Sequence, residues 1–202
     1  MKKVFVVGIG PGHRDYILPR AVKVMEESDV IVGFSRAIKS LNFINSTKIE
    51  VPKLQSILEI INSDKYNKIT AAASGDPLFY GITEYINKNY EGELEVVPGI
   101  SSFQYMMSVL KKSWNNAYTG SVHGRNEEIF DIVNNYRVSI WLTDSKNSPD
   151  FICKILYENH IEALVYVGEN LSYEDEKIII GTPEELKNAS FENLSVVVIE
   201  RV

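Results

Sequence analysis

The sequence predicts an α/β protein of two α/β domains, with a parallel-rich sheet in residues 1–111 and a mixed sheet in residues 112–202. Three observations predict it. Short β-branched runs alternate with stretches of helical spacing through the first half, the pattern of strands joined by crossover helices. In the second half some strand-like runs follow too closely for every connection to be a crossover helix, so part of the pairing is antiparallel. Between the halves, Lys111-Lys112-Ser113-Trp114-Asn115-Asn116 is polar and breaks the rhythm.

Taken in order, Val4–Val7 reads as a buried strand and meets a glycine-rich turn. Leu18, Ala21, Val22 and Met25 fall on one face of a helix, with Pro19 tolerated in its first turn. Val30–Val32 is a strand, and Leu54, Ile57, Leu58 and Ile61 repeat the helical spacing. Ile69–Ala73 is a buried strand that ends at Ser74-Gly75-Asp76-Pro77, with a helix expected from Phe79 to Asn87. Leu94–Val97 is a strand ending at Pro98-Gly99, where Ser101 or Ser102 suits the start of a helix. Beyond the boundary, Val138–Leu142, Ala163–Val167, Lys177–Ile180 and Leu194–Ile199 are strands, the last two separated by a short segment with Pro183, Glu184 and Glu185.

Composition narrows the function classes. The 202 residues carry a formal charge of −6, which argues against nucleic-acid binding through a general basic surface. The charge is uneven: residues 1–111 hold 13 basic and 12 acidic side chains, residues 112–202 hold 8 and 15. A single cysteine, Cys153, excludes an intrachain disulfide and a cysteine-built zinc site, and fits a cytoplasmic protein. No apolar run has the ~18 residues of a membrane helix. Lys2-Lys3 before Val4–Val7 imitates a signal peptide, but glycines and charges follow with no small-residue cleavage site, so no secretion is expected. The three histidines are scattered, so no protein-held metal is expected.

Three strand ends carry unusual turns. Gly8-Ile9-Gly10-Pro11-Gly12 lets the backbone turn sharply and approach a ligand. It does not fit a dinucleotide fingerprint: His13 stands at the third glycine, Gly33 and Phe34 stand where a ribose-binding acid belongs, and Pro11 lacks an N–H. Ser74-Gly75-Asp76-Pro77-Leu78-Phe79-Tyr80-Gly81 and Val97-Pro98-Gly99-Ile100-Ser101-Ser102 are the others. An Asp76 carboxylate capping the next helix and a serine N-cap would explain each turn by structure alone. Three such turns on one sheet lie along one edge, which is where open α/β sheets bind ligands.

In this order the three turns resemble the tetrapyrrole methylase family, and the resemblance covers the whole chain. It implies S-adenosylmethionine-dependent methyl transfer, with the cofactor bound between two α/β domains. Gly33-Phe34-Ser35-Arg36, Ser121-Val122-His123-Gly124-Arg125 and Gly168-Glu169-Asn170-Leu171 are similar to the branch that methylates C5 of a cobalt-precorrin in cobalamin synthesis, in its free-standing form. By matched position the resemblance implies cofactor contacts at Pro11, Ser74, Gly75, Asp76, Phe79, Ser101 and Ser102, and in the second domain at Leu142, Leu171 and Ser195. Many relatives carry an acid after the first turn, where this chain has His13.

The implied substrate is a flat, apolar macrocycle with carboxylates on its rim. Arginine forks suit carboxylates, so Arg36 and Arg125 are candidate substrate ligands, with His123 beside them and Arg14 at the first turn. Single arginines and a hydrogen-bonded histidine also have ordinary structural readings. Any cobalt arrives inside the substrate. The acidic run Glu174-Asp175-Glu176 is expected on solvent, away from a polycarboxylate. The resemblance further implies a homodimer, with association to a C15-methyltransferase as an additional partner. Two other substrates within the superfamily, those of a diphthine synthase and of a ribosomal RNA ribose methyltransferase, remain as alternatives, as does a nucleotide-binding module.

Overall fold

The computed structural model describes residues 2–124, 128–193 and 195–202. It divides into two compact units, residues 1–101 and 102–202.

In the first unit, β1 (Lys3–Gly8), β2 (Val30–Gly33), β3 (Lys48–Glu50), β4 (Lys68–Ala73) and β5 (Leu94–Val97) form one sheet in the order β3-β2-β4-β1-β5. Every pairing is parallel, in the registers Val4↔Ile69, Gly8↔Ala73, Val4↔Leu94, Val30↔Ile69 and Ile31↔Lys48. All five strands therefore end on the same edge. Alternation along β1 supplies two cores. Phe5 and Val7 pack with Ala21, Val24 and Met25 of α1 (Pro19–Glu26) and Ala37 of α2 (Ser35–Ser40). Val4 and Val6 pack with Ile57 and Ile61 of α3 (Leu54–Asn62) and Ile86 of α4 (Thr83–Asn89). A sheet buried on both faces explains why these strands read as continuous apolar runs.

The second unit holds β6 (Tyr118–Ser121), β7 (Val138–Leu142), β8 (Ala163–Glu169), β9 (Lys177–Gly181) and β10 (Val196–Arg201), in the order β6-β7-β10-β8-β9. β6 and β7 run parallel, and the other three pairings are antiparallel. This is the mixed sheet expected. One face packs α6 (Ile129–Asn135), α7 (Pro149–Glu158) and the short α8 (Pro183–Leu186) against Trp141, Val165, Val167, Val197 and Ile199. Thr182 caps α8 through its hydroxyl, and Glu185 returns the bond to the Thr182 N–H. The helix α5 (Ser102–Leu110) touches β7 and β10.

That contact moves the boundary. The expected break after residue 111 gives way to one after Ser101, because α5 belongs to the second sheet. The polar segment behind α5 is a joint inside this unit. Lys112 donates to Glu200 on β10 at 2.6 Å, and Trp114 meets Phe103 edge-on at 5.3 Å. Other expectations shift at their ends. α4 begins at Thr83 and not at Phe79, because Tyr80 takes a left-handed conformation (φ 54°) and Thr83 Oγ1 bonds back to the Pro77 carbonyl at 2.8 Å. The last strand starts at Val196, and Leu194 lies outside the described residues. β3, α2, β6, α6, α7 and α8 lie outside the expected set. β3 has three residues, and α2 has six with no side-chain cap. In α6 and α7 the cue was present, Ile129/Val133 and Ile152/Leu156 four residues apart.

The lone cysteine lies in α7 with no solvent exposure, and burial followed by the nearby Asp150 charge pushes its thiol up to about 12. The thiolate is the reactive species. Cys153 is therefore expected to stay unmodified by a disulfide reagent at pH 8 until denaturant is added. Fast labelling of the folded protein in a stopped-flow trace counts against this.

Candidate functional site

The first unit brings its three turns together at the carboxyl edge of the sheet, glycine against glycine. The Gly10 and Gly75 backbones bond reciprocally, Gly75 N to Gly10 O at 2.8 Å and Gly10 N to Gly75 O at 3.3 Å. Both take left-handed φ values, +71° and +67°. Gly8 is tighter still. A Cβ there would stand 2.6 Å from Gly99 N and 2.7 Å from Gly75 O. The glycines are thus required by space and conformation, and they leave a wall of peptide groups at the strand ends.

Asp76 fastens this wall. Its Oδ1 accepts from the N–H of Leu78 at 2.8 Å and of Phe79 at 3.2 Å, and its Oδ2 accepts from Gly99 N–H at 3.1 Å. The expected helix cap is therefore a turn clamp: it serves two residues inside the turn and one residue of the next turn, and α4 starts later. Of the proposed cofactor residues, Pro11 and Ser101 are buried, Gly75, Asp76, Phe79 and Ser102 are half-buried, and Ser74 is exposed. Phe79 meets Tyr80 edge-on at 4.9 Å. His13 Nδ1 accepts from Asp15 N–H at 3.3 Å, capping the short 3-10 turn Arg14–Tyr16 as a carboxylate would. Arg14 is exposed, 3.7 Å from Asp15. Arg36 lies half-buried in the first turn of α2, which leaves the same edge behind β2.

The second unit gathers its candidates at one end of its own sheet. Ser121 is paired with Leu142, Leu142 with Val196, and Val196 with Gly168. β6, β7 and β8 run in one direction and β10 in the other, so the ends of β6, β7 and β8 and the start of β10 form a single row. Leu171 is buried, and its side chain lies 2.7 Å from where a Gly168 Cβ would be, beside Met106 of α5. Its neighbours Asn170 and Ser172 both have positive φ, 46° and 72°. The acidic run lies on solvent as expected, with Glu174 and Asp175 exposed and Glu176 half-buried, and it also braces this loop. Asp175 accepts from Asn170 Nδ2 at 2.8 Å and Glu176 from Ser172 N–H at 2.6 Å. Ser195 is buried. Its carbonyl accepts from Thr143 Oγ1 at 2.7 Å and its hydroxyl donates to the Glu192 carbonyl at 2.7 Å. Glu169, also buried, accepts from Glu192 N–H at 2.6 Å.

His123 is exposed on the loop after β6, with Nδ1 3.9 Å from Asp144 Oδ2. Arg125, the other substrate candidate on that loop, lies outside the described residues. Asp144 and Asn147 are the residues the sequence reading missed. Asp144 Oδ2 accepts from Gly124 N–H at 2.6 Å, and its Oδ1 accepts from Lys146 and Asn147 N–H at 2.9 and 2.7 Å. Asn147 Nδ2 donates to the Val122 carbonyl at 2.8 Å. Burial works to raise the Asp144 carboxyl, but the N–H donors of Asn147, Gly124 and Lys146 outweigh it and hold it below its ordinary value.

A model of the tetrapyrrole (corrin/porphyrin) methylases matches residues 3–187. A probable cobalt-precorrin-7 C(5)-methyltransferase of Methanocaldococcus jannaschii is 33% identical, over 98% of this chain and 97% of that one. The cobalt-precorrin-7 C(5)-methyltransferase of Salmonella typhimurium is 28% identical over 96% and 98%. Among solved structures, a uroporphyrin-III C-methyltransferase from Thermus thermophilus, complexed with S-adenosylhomocysteine, superimposes with a TM-score of 0.80 at 18% identity, over 98% of this chain and 97% of that one. A precorrin-6Y methylase from Archaeoglobus fulgidus does so at 0.78 and 23%, over 98% of both chains. At those identities the superpositions speak for the fold alone.

Proposed function

The chain belongs to the tetrapyrrole methylase family, and from that premise we propose that it transfers a methyl group from S-adenosylmethionine to C5 of cobalt-precorrin-7 in the synthesis of cobalamin. The observation that carries the reading is the match to a probable C5-methyltransferase at 33% identity along nearly the full length of both chains. The three family turns, packed into one edge, support it.

The residues suit the methyl donor. The edge built by Gly8, Gly10, Gly75 and Gly99 packs backbone against backbone with no side chain between, which suits a ligand that must come close to the main chain. When bound, S-adenosylmethionine supplies an electrophilic methyl carbon on a sulfonium sulfur. Pro11, Ser74, Gly75, Asp76, Phe79, Ser101, Ser102, Leu142, Leu171 and Ser195 would bind and orient it. The rest is alignment and exclusion of water, since the donor is already activated and carbon, sulfur and attacking carbon need only be held near collinear. Arg36, His123 and Arg125 would engage the substrate's rim carboxylates. The cobalt is cargo, carried in by the substrate.

The reading includes a homodimer in the cytoplasm that meets a C15-methyltransferase as a separate partner. Among the described residues no helix is long and apolar enough to cross a membrane.

The test is turnover with S-adenosylmethionine and cobalt-precorrin-7, read by product mass. A gain of one methyl, placed at C5 by isotopic labelling, is the expected result. Binding of S-adenosylmethionine by calorimetry without methyl transfer moves the substrate elsewhere in the family. A folded protein that binds no S-adenosylmethionine rejects the reading.

A further inference from the structure

We infer that Asp144 is a positioning residue for substrate recognition: it sets the conformation of the Ser121–Gly124 loop, through which the second unit would read the tetrapyrrole. The inference rests on the proposed methyl transfer and adds to it a residue outside the segments named above.

The base of the loop is fixed, with Ser121 and Val122 buried and Val122 N–H donating to the Leu142 carbonyl at 2.9 Å; among the described residues its outer end has less to hold it. His123 and Gly124 are exposed, and Gly124 takes a left-handed conformation (φ +63°) with open space where its Cβ would be. Within the loop, His123 N–H bonds to Ser121 Oγ at 3.3 Å, at the long end of the useful range. The strong ties arrive from the loop behind β7. Asp144 receives Gly124 N–H at 2.6 Å, and Asn147 donates to the Val122 carbonyl at 2.8 Å. The same carboxylate, through its other oxygen, closes its own turn over Lys146 and Asn147, and so fixes the Asn147 side chain that reaches across. One side chain thus couples two loops at the ends of paired parallel strands.

A fixed negative charge beside a binding surface for carboxylates needs neutralising. Three backbone donors do this. Charge-assisted bonds of this kind are worth roughly twice a neutral one. The carboxylate is therefore consistent with a neighbouring anion site only while those donors stay in place.

Asp144→Asn separates this role from folding. The amide oxygen can still accept from Lys146 and Asn147 N–H, so the turn behind β7 survives. The amide nitrogen is a donor, and it then faces the Gly124 N–H, so the tie between loops is lost. In steady-state assays with the intact chain, the KM for cobalt-precorrin-7 is expected to rise by about tenfold, with the KM for S-adenosylmethionine within about twofold of wild type, as fits loss of one charged hydrogen bond. Asp144→Glu, which keeps the charge, is expected to recover part of the loss. Equal shifts in both KM values together with a lowered melting temperature would reduce Asp144 to a fold residue and overturn the inference, as would an Asp144→Asn protein that behaves like wild type. Wild-type protein that binds S-adenosylmethionine but neither binds nor methylates the corrinoid defeats the proposed function first, and this assignment with it.

Discussion

Gly8→Ala is expected to destabilise the first unit by about 3 kcal/mol and to lower methyl transfer by about a hundredfold. The added carbon has nowhere to go. It meets Gly99 N at 2.6 Å and Gly75 O and Gly99 Cα at 2.7 Å, all of them backbone atoms. Side-chain crowding can be relieved by a rotamer change, whereas this can be relieved only by driving two turns apart. Gly8 ends the strand β1, whose backbone is held in register on both sides by β4 and β5, so β1 cannot retreat either. The displaced turns are those that would carry the cofactor, and a misplacement near 1 Å is enough to cost about two orders of magnitude in rate. Gly92→Ala is the control. There the added carbon meets the far end of a half-buried side chain, the Tyr90 ring near its hydroxyl, and no backbone, in the exposed segment Glu91–Glu93. That change is expected to alter stability by no more than about 0.5 kcal/mol. Denaturant melts and initial rates on the two variants check the contrast. A Gly8→Ala protein as stable and active as wild type would falsify the packing account of the three turns.

The contrast shows what the sequence could carry. Short apolar runs announced β1, β2, β4, β5, β7, β8, β9 and β10, most plainly in β1 and β2, which are buried on both faces. The turns were legible because glycine and proline restrict the backbone in known ways. Harder to read was why each glycine is there. Gly8 has no unusual φ; it is glycine because Gly99, 91 residues later, passes beside it, and no local pattern records that approach. Asp144 failed for the same reason. Thr143-Asp144-Ser145-Lys146-Asn147 reads as a polar turn, and Asp144 does close one over Lys146 and Asn147. The bond that gives the residue its place in the site goes to Gly124, 20 residues earlier and on another strand's loop. The boundary was misplaced by a related effect. Lys111–Asn116 looks like a linker because it is polar, yet Lys112 is polar in order to meet Glu200 on β10. The acidic run 174–176 is solvated surface as expected, and what stayed hidden is that two of its carboxylates also hold the loop of Leu171.

Asp76→Ala is expected to raise the dissociation constant for S-adenosylmethionine by more than about tenfold and to cost about 2 kcal/mol of stability. The two effects have separate origins in the two carboxylate oxygens. Oδ1 closes the turn locally, on Leu78 and Phe79, and its loss loosens the segment that carries Phe79. Oδ2 reaches Gly99 and ties the second turn to the third, 23 residues further on. Asp76→Asn should split them. Its oxygen can keep the local turn, while its amide nitrogen opposes the Gly99 N–H, so stability should fall by only about 1 kcal/mol. If cofactor binding depends on the turns being held together, Asp76→Asn should lose nearly as much affinity as Asp76→Ala despite its smaller stability loss. Should affinity instead track stability across the two variants, the carboxylate acts through folding alone. Wild-type affinity in Asp76→Ala, measured by calorimetry, would place the cofactor away from this turn. The discriminating quantity is the ratio of the two losses, because the edge works as a ligand wall only while the three turns move as one.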